Sequence, residues 1–145
     1  MLVGISRLAG FELSGERLAV ALRTAEQEDE HSCFSDTTTQ DALFDQIGIQ
    51  NIYLGRYVRR DGTMIQGASI SDMVRSRNAD LDARVRAALT AGVDACRAIP
   101  APFDQAIVQP AGRVLVRAAV DSIQAEATLL EEVAALFHVS VMVEE

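Results

Sequence analysis

One short run of the sequence concentrates side chains that could do chemistry. Residues 28–38 read EDEHSCFSDTT, so that Glu28, Glu30 and His31 lie within four positions of one another. A histidine among carboxylates supplies the nitrogen and oxygen ligands that suit iron, zinc or manganese. Adjacent loop residues cannot all point in one direction, however, so a solvated acidic turn is the alternative. At this point both interpretations stay open: a metal or ligand site, and a polar turn that leads into a helix.

The same run also contains a helix start. Ser35 or Asp36 can accept backbone N–H bonds as an N-cap. Ser32 and Ser35 lie close to His31, but no glycine-flanked turn of the kind that presents a nucleophile accompanies them. The sequence therefore predicts no catalytic residue here.

Two further carboxylates lie in the N-terminal segment, whose apolar stripe at α-helical spacing comprises Ile5, Leu8, Ala19 and Leu22. Glu12 falls on this stripe, and Glu16 lies one turn further on. A carboxylate on an apolar face is costly unless it is paired or bound to a ligand. Either an arginine such as Arg17 pairs with Glu12, or the two glutamates contribute to a ligand site.

Polar residues elsewhere suggest helix cross-links. Gln50 and Asn51 interrupt the apolar stripe of the second helix, and buried amides need hydrogen-bond partners. Cys33 and Cys96 both lie near one predicted end of the molecule. A disulfide between them and a pair of separate thiols are both compatible with the sequence.

Four long helices are expected to position these groups, and no segment reads as a sheet. Their approximate ranges are 2–26, 37–58, 78–99 and 112–137, with residues 103–111 as a loop. The expected stripe of the second helix consists of Leu43, Ile47, Leu54 and Val58. Four helices of this length joined by short or medium links predict an all-α, antiparallel four-helix bundle. In this arrangement residues 27–36 and 96–110 share one end.

Composition limits the class of protein further. The 145 residues suit a single domain, and 49% of them are hydrophobic. The formal net charge of −8 makes nucleic acid an unfavourable partner. No uninterrupted apolar run reaches the roughly 18 residues of a membrane span. The N-terminus does not read as a signal peptide, since Arg7 and Glu12 break its apolar stretch.

Four stretches together resemble one protein family. GFELSGERLAVAL, EDEHSCFSDTT, GIQNIYLGRY and APFDQAI resemble imelysin-like proteins in order and spacing, over nearly the whole chain. Such proteins typically contain two helical bundles in one exported chain, and residues 1–145 resemble the second bundle alone. The family's Gly-x-His-x-x-Glu motif belongs to the first half. It does not occur here, because neither His31 nor His138 has a glutamate three positions later.

The resemblance implies a bacterial, periplasmic module linked to iron uptake, with a site where the two bundles meet. The site positions carried over are Glu28, Glu30, His31, Ser35 and Asp36, and Glu12 and Glu16 join them from the stripe argument. His31 and Glu28 are the expected metal ligands, and iron or zinc is the expected ion. A first-bundle domain or a second copy of the chain is the expected partner. A metallopeptidase fragment and a structural, self-associating domain are the alternatives, and the missing motif disfavours enzymatic activity.

Overall fold

The computed structural model describes residues 1–141, and most of them are helical. The N-terminal helix consists of α1 (Leu2–Arg7), a π-helix (Leu8–Ala19) and α2 (Val20–Thr24). A 3-10 turn (Gln27–Asp29) and a loop lead to α3 (Thr38–Leu54), which is followed by a hairpin of β1 (Arg56–Val58) and β2 (Met64–Gln66). The remaining elements are α4 (Ile70–Arg77), α5 (Ala79–Arg97), α6 (Phe103–Val108) and α7 (Pro110–Leu136).

Four long elements surround one core. The N-terminal helix packs on α7 and on α3, while α5 packs between α3 and α7. Their buried side chains form a single hydrophobic cluster. The all-α class is thereby confirmed, and the finer antiparallel arrangement stays a prediction.

The third and fourth helices agree with the sequence. Asn78 caps α5 by accepting a hydrogen bond from the backbone N–H of Leu81 at 3.0 Å, and α7 begins at Pro110, whose fixed φ suits a first turn. Helical spacing predicts one apolar face on each of these helices, and both faces are buried except at Phe137, which is only partly buried. They comprise Val85, Leu89, Val93 and Cys96 on α5, and Val116, Val120, Ile123, Ala127, Leu130 and Ala134 on α7.

The N-terminal helix differs from the expected α-helix. Its middle is π-helical, and its buried positions are Ile5, Ser6, Ala9, Leu13, Ser14, Leu18, Ala21 and Leu22. Leu8 and Ala19, which the α-helical spacing placed on the stripe, are only partly buried. The reason is that a π-helix bonds residue i to i+5, which rotates the later positions relative to an α-helix. The stripe is therefore correct at its ends and wrong in its middle.

The second helix is shorter than expected, and a hairpin follows it. Gly55 ends α3 at a φ of +60°, and a Cβ there would lie 2.7 Å from the carbonyl oxygen of Ala68. The chain then turns back at Gly62, also at positive φ, and Tyr57 pairs with Ile65 in an antiparallel register. The expectation of no sheet was wrong, because the β-favouring residues after Gly55 were assigned to the helix.

The buried face of α3 is also rotated by about one position. It comprises Thr38, Thr39, Ala42, Gln46, Ile49 and Tyr53. The expected residues Leu43, Ile47 and Leu54 are only partly buried, and Val58 is half exposed. The prediction from apolar spacing chose the wrong face of α3, because the polar side chain of Gln46 is buried in the core, where it bonds to Glu126.

The expected loop at 103–111 contains α6. Phe103 and Ile107, four residues apart, are both buried. This helix lies so close to α7 that a Cβ on Gly112 would be 2.6 Å from the Cα of Ala106. The glycine thus permits a backbone-to-backbone contact that a sequence pattern does not reveal.

Candidate functional site

The loop before α3 is fastened to the first turns of that helix. The side chain of Asp41 accepts a short hydrogen bond from the Oγ of Ser32 and a second one, at 3.2 Å, from the Oγ1 of Thr37. The backbone N–H of Ser32 also donates to the Oγ1 of Thr38 at 3.1 Å. Asp41 lies in the first turn of α3, where a negative charge suits the helix dipole, and its carboxylate also fastens the loop to the helix.

Glu30, the first residue of this loop, is buried, with 5% of its surface exposed. Its Oε2 accepts a hydrogen bond from the Oγ1 of Thr38 at 3.0 Å. Its Oε1 is buried and has no hydrogen-bond partner among residues 1–141. Burial raises the pKa of this carboxyl above its ordinary value, and the bond from Thr38 opposes that shift. The group is therefore a desolvated carboxyl with one oxygen free to bind.

His31 faces Asp45, one turn after Asp41. Its Nδ1 lies 3.9 Å from the Oδ2 of Asp45, and this nitrogen is buried without a hydrogen-bond partner in the described part of the chain. Burial raises the pKa of Asp45, His31 opposes the shift, and the carboxylates of Asp41 and Glu12 add to it. The imidazole and the carboxyl form a loose pair at the same bundle end as Glu30.

The expected N-cap at Ser35 or Asp36 was wrong. Both residues are exposed, and Asp36 has a positive φ of 53°. The Oγ of Ser35 bonds instead to the Oγ1 of Thr37 at 2.7 Å. Thr37 occupies the N-cap position without a side-chain bond to the helix. Neither residue contacts Glu30 or His31 through a hydrogen bond, and Asp36 acts on Glu30 only by raising its pKa.

Glu28 is exposed on the 3-10 turn that precedes the loop. It lines an open pocket of about 610 Å³ together with Gln27, Cys33 and the fully exposed Phe34. It makes no hydrogen bond to His31 within residues 1–141. In the structure Glu28 is exposed and His31 lies beside Asp45, and a metal ion shared by Glu28 and His31 stays a prediction.

Of the two N-terminal glutamates, Glu12 is paired and Glu16 is exposed. The Oε1 of Glu12 lies 2.6 Å from the Nη2 of Arg17, five residues along the π-helix. The arginine alternative is therefore the observed one, because the π-helical spacing brings positions i and i+5 together. Glu12 still lies close enough to Asp45 to raise its pKa, whereas Glu16 points to solvent.

Sequence reasoning missed several polar residues that the fold brings together. Asp45 faces His31, and the buried amide of α3 is Gln46, which bonds to Glu126 of α7. Gln50 and Asn51, the expected buried amides, are only partly buried. The pair of carboxylates at 41 and 45, one helical turn apart just after the loop, was the available signal.

The two cysteines are free thiols. Cys33 is partly buried at the pocket, and Cys96 is buried within the bundle. The disulfide alternative is therefore not realised in this fold.

The donor set by itself does not fit a complete metal centre. Metal ions in proteins take several convergent His, Cys, Asp or Glu ligands. Within residues 1–141, no group of three or more such side chains is placed to hold an ion. What the loop does present is one buried imidazole nitrogen and one buried carboxylate oxygen, both without hydrogen-bond partners. Two such groups are fewer than a complete metal centre requires.

The fold and this loop define a class: mostly helical domains with an acidic, histidine-bearing loop before a long helix. The family model described as imelysin matches residues 1–130, and the chain belongs to the imelysin family.

The structure is also similar to the crystal structure of an imelysin peptidase from Bacteroides ovatus. The TM-score is 0.65 at 22% sequence identity, over 90% of this chain and 36% of that one. The chain thus spans about a third of the length of this solved relative, and the likeness concerns the fold. Among curated proteins, none matches the sequence. Within residues 1–141, no helix has both the length and the apolar character needed to cross a membrane.

Proposed function

We propose that this chain is the second helical bundle of an imelysin-like protein and that its loop contributes to a metal or ligand site linked to bacterial iron uptake. His31 and Glu30 provide the inner binding groups, and Glu28 faces the open pocket. Iron and zinc suit this combination of nitrogen and oxygen donors. No peptidase activity is proposed, because neither histidine is followed by a glutamate three positions later.

One observation carries this proposal: two buried polar atoms at the same bundle end lack partners. Most buried polar atoms of folded proteins are hydrogen-bonded, and each exception needs an explanation. The Oε1 of Glu30 and the Nδ1 of His31 are both exceptions within residues 1–141. A metal ion coordinated by both atoms, or a ligand that donates hydrogen bonds to them, would remove their desolvation cost.

A second domain or chain is proposed to supply the remaining ligands of the site. The chain supplies fewer than three convergent donors, and it covers 36% of a solved imelysin peptidase. A first-bundle domain is therefore the proposed partner, with a second copy of this chain as the alternative. The fully exposed Phe34 beside Glu28 gives such a partner an apolar contact next to the binding groups. The periplasm is the proposed location, by analogy with the family.

Calorimetric titration with ferrous, ferric and zinc ions tests the loop directly. We expect weak binding to the chain, because two donors hold an ion less tightly than three or four. Replacing His31 by asparagine should abolish the binding heat. The matched control is His138→Asn, because His138 is the other histidine, is exposed, and has a positive φ that asparagine tolerates.

Two outcomes would contradict the proposal. Equal binding by the chain and by His31→Asn would place the ion elsewhere. Absence of binding to the chain, with both variants folded, would mean that the loop does not bind these metals.

A further inference from the structure

A second polar pair lies away from the loop, in the centre of the bundle. Gln46 of α3 and Glu126 of α7 both have 0% of their surface exposed. The side-chain Nε2 of Gln46 donates a short hydrogen bond to the Oε2 of Glu126. The bond links two helices through residues that are 80 positions apart in the sequence.

Two oxygen atoms of this pair have no partner. The Oε1 of Gln46 and the Oε1 of Glu126 are both buried without a hydrogen bond within residues 1–141. An ionised carboxylate only accepts hydrogen bonds, and so does the carbonyl oxygen of an amide. If Glu126 were ionised, neither oxygen could satisfy the other, and a charge would also be buried without a counter-ion.

We propose that Glu126 is protonated in the folded protein and that its carboxyl O–H donates to the Oε1 of Gln46. The amide N–H bond to Oε2 and this second bond then close a cyclic acid–amide pair. One proton satisfies both unpartnered oxygens and removes the buried charge at the same time.

The surroundings of the pair supply no ion-pair partner for Glu126 within residues 1–141. From α5, Gly92 packs so closely that a Cβ there would lie 2.5 Å from the Nε2 of Gln46 and 2.9 Å from the Oε2 of Glu126. Among titratable groups, the Cys96 thiol of α5 is influenced by Glu126 and by Asp45 of α3, and Asp45 is in turn influenced by Glu12 of the π-helix.

None of these neighbours is a cation. Glu126 takes part in none of the ion pairs found within residues 1–141. Burial disfavours the charged form of Glu126, and the hydrogen bond from Gln46 opposes this effect only in part.

The expected pH dependence follows from the proton. Burial raises the pKa of Glu126 from 4.5 to about 7, although the hydrogen bond from Gln46 lowers it in part. Between these two values the folded chain binds the proton and the unfolded chain does not. The contribution of Glu126 to stability is therefore fully present below the lower value, and it declines as pH rises towards 7. The unfolding equilibrium constant should rise by up to about tenfold per pH unit across this window.

Glu126→Gln tests the pair with a near-isosteric group. Its amide N–H can donate to the Oε1 of Gln46 without titrating, so it mimics the protonated acid. In urea unfolding at about pH 5 and pH 7.5, the unfolding constant of the natural chain should rise roughly 50-fold more than that of the variant. Glu131→Gln, at an exposed position of the same helix, should retain the pH dependence of the natural chain. Parallel pH profiles for the natural chain and Glu126→Gln would overturn the proposal.

A measurement on the natural chain does not depend on how well the variant folds. With labelled glutamate, the ¹³C resonance of the Glu126 carboxyl at about pH 6 should show the chemical shift of a protonated acid. A shift typical of an ionised carboxylate at that pH would overturn the proposal.

Discussion

At the scale of single residues, burial decides what each carboxyl group does. Glu12 looked buried on an α-helical wheel, yet it is about one-third exposed and bonded to Arg17. Such a pair contributes at most about 1 kcal/mol. No sequence pattern singles out Glu126, yet this residue is fully buried. A carboxyl group can thus pair with an arginine at the surface or lie in the core without a cation, and the sequence alone does not distinguish the two cases.

Asp82 offers a test of buried hydrogen bonding at this scale. Its Oδ1 accepts from the Tyr53 hydroxyl at 3.0 Å and from the Ser71 Oγ at 2.6 Å. Burial raises the pKa of Tyr53, and the neighbouring Asp82 carboxylate adds to the shift. We expect Tyr53→Phe to lower the free energy of unfolding by about 1–2 kcal/mol, because a buried acceptor loses one of two donors.

Urea unfolding measures this effect, and Tyr57 is the matched control. Tyr57 is half exposed on the hairpin, and no side-chain hydrogen bond of its hydroxyl is found among residues 1–141. Tyr57→Phe should therefore leave the free energy of unfolding unchanged within about 0.5 kcal/mol. Equal losses in both variants would show that the bond to Asp82 contributes nothing.

At the scale of elements, the sequence predicted helices better than it predicted their faces. The start of α5 at Asn78 and the apolar face of α7 were correct because capping and 3.6-residue spacing are local signals. The π-helix, the rotated face of α3 and the short helix α6 were missed. Each depends on contacts between distant segments, such as Gln46 with Glu126 or Gly112 with Ala106. The candidate loop was found from its composition, but Asp45, the partner of His31, lies on an element whose orientation only the fold defines.

Gly92 tests how closely the elements pack. We expect Gly92→Ala to lower the free energy of unfolding by about 1–3 kcal/mol, because the added Cβ would lie 2.5 Å from the Nε2 of Gln46. Gly48→Ala is the control on α3, since a Cβ there meets nothing within 4 Å. This substitution should stabilise the helix by up to about 1 kcal/mol. Thermal unfolding of both variants gives the comparison, and a stabilised Gly92→Ala would show that α5 is further from the pair than described.

At the scale of the whole molecule, the chain is an acidic bundle with an apolar residue projecting beside its candidate site. The net charge of −8 opposes self-association by general repulsion. Phe34, however, is fully exposed next to the pocket that Glu28 lines. A single large aromatic side chain of this kind often anchors an interface. The exposed edge of the loop is thus the proposed docking point for another bundle, and without a first bundle a second copy can occupy it.

Phe34→Ser tests this docking point. Light scattering of the natural chain at high concentration and moderate salt, which screens the acidic charge, should give a mass above the 15.7 kDa of one chain. The variant should dissociate at roughly tenfold higher concentration, because an interface anchor contributes more than about 1 kcal/mol. Met73→Ser is the control. Met73 is 56% exposed on α4. Ser71 of α4 and Tyr53, near the C-terminal end of α3, both bond to Asp82, so Met73 lies far from the loop, which precedes the N-terminal end of α3. A natural chain that stays monomeric, or an equal effect of both substitutions, would remove Phe34 from the interface.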